Sequence, residues 1–168
     1  MSGSDVEWCD PTFSGPRLLL DYALLDTWHP TREQYEEVCA AVGDGWLATS
    51  PWGEGSAIVL GSHNMTAWVP NPLVGQPCVG LLVRWESGPD CQTVASHLGA
   101  VDFAGFEEGG IPWTAAGPMM LFAAVEPGDD ITSASMVVEV PPGNYRIGVV
   151  EFTPDEETSL ILHPFHKS

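Results

Sequence analysis

From Trp46 onward the apolar positions come in short runs cut by Gly, Pro, Asn and Asp. The runs read "SAIVLG" (56–61), "TAWVP" (66–70), "CVGLLVRW" (78–85), "MMLFAAV" (119–125), "SMVVEV" (135–140), "NYRIGVVEF" (144–152) and "SLILHPF" (159–165). Short β-rich segments separated by turn residues, with little room for crossover helices, predict a mainly β chain: an antiparallel β-sandwich or a barrel-like sheet. Upstream, "RLLLDYALLD" (17–26), flanked by Gly-Pro, predicts a buried strand, with a helix the alternative for so short an apolar run.

One segment has helical periodicity instead. In "TREQYEEVCAAVG" (31–43), Tyr35, Val38, Cys39 and Val42 recur at i, i+3, i+4 and i+7, with Glu33, Glu36 and Glu37 on the other side. Thr31 stands at the N-cap with Gln34 three residues on, a capping box, and Gly43 supplies the stop. This predicts one α-helix near the N-terminus over residues 31–42, with its apolar stripe against the β-structure. Residues 1–15 are expected to form a loosely held arm on a single domain spanning 1–168.

The stretch "VVEVPPGNYRIGVVEF" (137–152) reads as strand, tight turn, strand, with both faces apolar, so a hairpin inside the sheet is expected. If the last four runs are consecutive antiparallel strands, their connections alternate between the ends of the sheet. Loops "EPGDD" (126–130) and "TPDEE" (153–157) then share one end, gathering Asp129, Asp130, Asp155, Glu156 and Glu157 without a Lys or Arg in either loop.

Charge gives that edge its interest. The 168 residues hold 23 Asp and Glu against five Lys and Arg, a formal net charge of −18, while charged residues total only 17%. Most carboxylates lack a cationic partner, so the chain carries a negative field that disfavours nucleic acid and anionic membranes and favours a basic protein. With 44% hydrophobic residues, including seven Trp, the chain is expected to fold.

Other chemistry is weakly marked. Cys9, Cys39, Cys78 and Cys91 are scattered without paired spacing, so neither a zinc site nor any other cofactor is expected. The N-terminus lacks a secretory pattern, so free thiols in the cytoplasm are the expectation. His163 and His166 read as a solvated tail, Glu107 and Glu108 as a wet turn, and "SPWGEGSA" (50–57) as a plain loop lacking the phosphate-loop lysine. No catalytic residue is expected. Trp46, Trp52 and Trp113, in Gly/Pro-rich segments, leave a carbohydrate- or small-ligand-binding module as the alternative, or an enzyme whose site no local motif marks.

The early "LLLDYALL" (18–25) and the closing "VVEVPPGNYRIGVVEF" and "TSLIL" (137–162) resemble the competence protein J family of nuclease inhibitors and immunity proteins of bacterial polymorphic toxin systems. The matching segments are scaffold, so no site residue follows from the resemblance. It implies a small acidic inhibitor of a basic effector such as a nuclease or toxin, in agreement with the charge. Asp129, Asp130, Asp155, Glu156 and Glu157 are the candidate contacts.

Overall fold

The computed structural model describes residues 6–10, 15–53, 55–61, 64–107 and 109–168. In chain order the strands are β1 (Arg17–Asp21), β2 (Leu47–Trp52), β3 (Gly55–Leu60), β4 (Met65–Pro70), β5 (Cys78–Ser87), β6 (Ile111–Ala115), β7 (Met119–Ala123), β8 (Met136–Val138), β9 (Gly143–Ile147), β10 (Val150–Phe152) and β11 (Ser159–Lys167). Two α-helices accompany them, α1 (Arg32–Val42) and α2 (Cys91–Gly99). The chain is mainly β, as the run pattern predicts. It forms two antiparallel sheets, in the orders β2-β3-β1-β7-β8 and β4-β5-β11-β9-β6, with β10 also on β11. Both are open paths among the described residues, so the barrel-like alternative falls away.

Each sheet belongs to its own compact unit. The α1 unit comprises Asp10–His63 and Ala115–Pro142, and the α2 unit comprises Met1–Cys9, Asn64–Thr114 and Gly143–Ser168.

In the α1 unit the helix forms as its caps dictate. Thr31 accepts a bond from the Gln34 N–H at 3.2 Å and the Gln34 side chain accepts from the Thr31 N–H at 2.8 Å, satisfying two otherwise orphaned donors. Val38 and Val42 are buried in a cluster with Leu18, Leu20, Val59 and Phe122, while Glu33, Glu36 and Glu37 stay in water. Burying each valine contributes about 1.5–3 kcal/mol. β1 ends at Asp21, and residues Tyr22–Thr27 coil into a 3-10 helix rather than extending the strand to residue 26. That turn carries the chain back to Trp28, a buried residue whose indole donates to the Ala124 carbonyl at 3.0 Å.

The α2 unit contains a helix that the alternation of the chain conceals. Asp90 caps α2, accepting from the Thr93 N–H at 2.7 Å, and Val94 and Leu98, four apart, are buried against Val83, Leu160 and Leu162. The single-helix expectation is corrected accordingly.

The expected hairpin at 137–152 is also overturned. β8 pairs with β7, whereas β9 pairs with β11, so Pro141 and Pro142 join two sheets instead of turning one strand back on itself. "NYRIGVVEF" is itself divided at Gly148 and Val149. The reason lies in β11, where Pro164 has no N–H to donate although the strand is central. Opposite Pro164 the partner strand is interrupted, and the Gly148 N–H donates to the Pro164 carbonyl at 3.1 Å.

Candidate functional site

Surface charge is more one-sided than composition alone indicates. Of the five basic residues, Arg17 and Arg84 are buried, leaving Arg32, Arg146 and Lys167 at the surface. Arg32 is occupied by Glu36 at 3.1 Å in an exposed pair, which is worth little in water.

Because the last four strands are split between two sheets, the loops at 126–130 and 153–157 belong to different units, and strand direction gives them no shared end. In the α1 unit the first loop folds around its own leading carboxylate. Glu126 is buried and accepts from the Thr132 hydroxyl at 2.6 Å, the Ser133 hydroxyl at 2.5 Å and both residues' N–H groups. Burial alone would raise its pKa, but these hydrogen bonds outweigh it and hold the carboxyl below its usual range. The loop then presses on the segment after β1, the Gly128 N–H donating to the Trp28 carbonyl at 2.8 Å. A side chain at Gly128 would put its Cβ 2.1 Å from the Leu25 carbonyl oxygen. Asp129 and Asp130 emerge exposed, Asp129 lying 3.3 Å from the His29 imidazole. His29 lies three positions before the first residue of α1, so Asp129 borders the start of the helix that displays Glu33, Glu36 and Glu37.

In the α2 unit, Asp155 performs the bracing. One carboxylate oxygen accepts from the Glu157 N–H at 2.9 Å and the Thr158 N–H at 2.7 Å, and the other meets His97 of α2 at 2.8 Å. The His97 contact, followed by the Thr158 bonds, lowers its pKa. Glu156 and Glu157 project into solvent. Glu86 joins them from the end of β5, accepting from the Ser159 hydroxyl at 2.9 Å, and the Ser87 hydroxyl donates to the Glu157 carbonyl at 3.4 Å. Sequence reasoning missed Glu86 because only the pairing of β5 with β11 brings it there.

The aromatic alternative finds no platform of three. Trp113 is buried, and half-buried Trp52 packs edge-on to Trp28 at 4.5 Å, its indole donating to Thr27 at 2.9 Å. His163 and His166 are not a solvated tail: both are buried in β11. The His163 Nδ1–H donates to the Gly148 carbonyl at 3.0 Å. Burial, reinforced by the Arg84 charge, lowers its pKa to about 3, so the ring is neutral. All four cysteines are free, and burial raises the Cys78 thiol. No cluster of His, Cys, Asp or Glu among the described residues is arranged to hold a metal ion, and no helix is long and apolar enough to cross a membrane.

No curated protein and no solved structure matches the chain significantly. A family model does: that of immunity protein 21, over residues 7–158. With nearly the whole chain inside that match, the protein belongs to the immunity protein 21 family and is an immunity protein whose partner is a toxin effector.

Proposed function

We propose that the protein neutralises a basic toxin, a nuclease in the first instance, in the cytoplasm, by laying carboxylate-rich surface over the toxin's cationic cleft. The observation that carries this reading is the net charge of −18, with Arg17 and Arg84 withdrawn into the interior. A nuclease cleft is cationic because it must hold phosphates, and an acidic surface competes for it through fast, electrostatically steered association. Asp129 and Asp130 on the α1 unit and Glu156 and Glu157 on the α2 unit are the proposed contacts, with Asp155 holding its own loop in shape and adding charge beside Glu156 and Glu157. Free cysteines suit a reducing compartment.

The test is to purify the toxin domain encoded beside the immunity gene and to measure cleavage of plasmid DNA and of RNA with increasing immunity protein. Cleavage is expected to stop at a one-to-one ratio, at an affinity that falls as salt rises. A neutral or acidic toxin, or inhibition indifferent to salt, would contradict the reading.

A further inference from the structure

Carboxylates steer association, but a lasting complex also needs an apolar centre from which water is excluded. Among the described residues, only Leu73 and Val74 are consecutive large hydrophobic side chains standing more than half exposed, Leu73 at 65% and Val74 at 99%. They occupy the tip of the β4–β5 loop. That loop is braced rather than slack: the Asn71 side chain donates to the Cys78 carbonyl at 2.8 Å and accepts from the Leu73 N–H at 3.0 Å, and the Asn71 N–H donates to the Val79 carbonyl at 2.9 Å. Gly75 closes the turn at φ +86°, a conformation that other residues rarely adopt. The exposure is therefore built into a fixed backbone, and displaying the two side chains to a partner requires little further ordering.

Beside the tip lies an open groove of about 330 Å³ floored by Val69, Pro70, Leu98, Val101 and Phe103, with exposed Asp102 at its rim. A prominence and a socket, both apolar, with a carboxylate beside them, suit a partner surface that is hydrophobic at its centre and cationic around it. Mutual repulsion at −18 per chain opposes a second copy in the same place.

Resting on the function proposed above, we infer that the Leu73–Val74 tip and the adjoining groove form the apolar anchor of the toxin interface. The tip inserts into the toxin, and the groove receives an apolar toxin side chain flanked by Lys or Arg.

The experiment uses the full-length protein and a catalytically inactivated form of the toxin domain encoded beside its gene. Leu73→Ser/Val74→Ser removes the tip, and Ala104→Trp, at an exposed position lining the groove, fills the socket. Both changes lie at the surface, and circular dichroism verifies the fold. Dissociation of either variant is expected to accelerate at least about tenfold, the scale of exposing one or two aliphatic side chains, with the association rate and its salt dependence unchanged. Wild-type protein that binds with a salt-dependent rate while both variants release the toxin as slowly as it does would overturn this inference alone. Wild-type protein that fails to bind would overturn the proposed function and the anchor with it. Sedimentation as a dimer that the tip variant dissociates would assign the surface to self-association and overturn the inference as well.

Discussion

Two buried titratable side chains, Glu126 in the α1 unit and His163 in the α2 unit, are accommodated in opposite ways. The α1 unit buries the carboxylate of Glu126 and surrounds it with hydroxyl and N–H donors from Thr132 and Ser133, so the charge is retained and used to fold a loop. The α2 unit buries the imidazole of His163, which holds one carbonyl with Nδ1 and has no partner for Nε2, so the ring is kept neutral. Burial is tolerated in the first case because donors converge, and in the second because the charge is given up. The two arrangements should answer acid differently.

His163 gives the largest expected effect. Its folded pKa of about 3 lies below the ordinary value of 6.5, so the unfolded chain takes up its proton first as pH falls. Its contribution to stability is complete above pH 6.5 and declines below it by about 1.4 kcal/mol per pH unit, down to the folded pKa. Urea unfolding between pH 7 and 4 should show this loss. His163→Asn, which retains a donor for the Gly148 carbonyl without a titrating ring, should flatten the profile by about one proton. An unchanged slope would contradict the buried neutral ring.

Glu126→Ala comes next. At pH 7 it leaves the Thr132 and Ser133 donors without their acceptor, and an expected loss of about 3 kcal/mol follows from removing charge-assisted bonds in a largely buried site. Because the carboxyl is held below its usual range, that stability is present above the ordinary carboxylate pKa and is lost as pH falls through the folded value. The difference between wild type and variant should therefore close in acid, in a lower window than the decline due to His163.

Asp155→Ala should cost less than Glu126→Ala, since Asp155 is exposed and screened, although it braces its loop by the same device. Denaturation midpoints of the two variants side by side would check the order, and equal losses would erase the distinction between a buried and an exposed brace.

Local chemistry made some of this legible in advance. The capping box and stripe of α1 lie within one short window, and the apolar runs became strands nearly where they stand. The sign of α2 was equally local, an Asp at 90 followed by Val94 and Leu98, but its nine residues sit among strand-like runs and are short for a periodicity to stand out. At Pro141 and Pro142 the sequence says only that a ladder breaks; a turn back and a crossing to the other sheet use the same residues. The interruption of "NYRIGVVEF" depends on Pro164, which lies far along the chain and becomes a partner only once β11 is central. The acidic loops were visible as composition, but Glu126 as an internal ligand and Glu86 as a neighbour of Glu157 emerge only from tertiary pairing.

We propose that exposed carboxylates bring a basic toxin to this protein. The direct test is the association rate constant with the inactivated toxin domain, measured from low to high salt, for wild type and for the variant carrying Asp129→Lys, Asp130→Lys, Glu156→Lys and Glu157→Lys. These four side chains are exposed and make no buried bond, so folding should survive. Wild-type association should slow steeply with salt, and the variant should be slowed at least about tenfold at low salt with most of that dependence gone. Identical rates and salt dependence for the two proteins would contradict it.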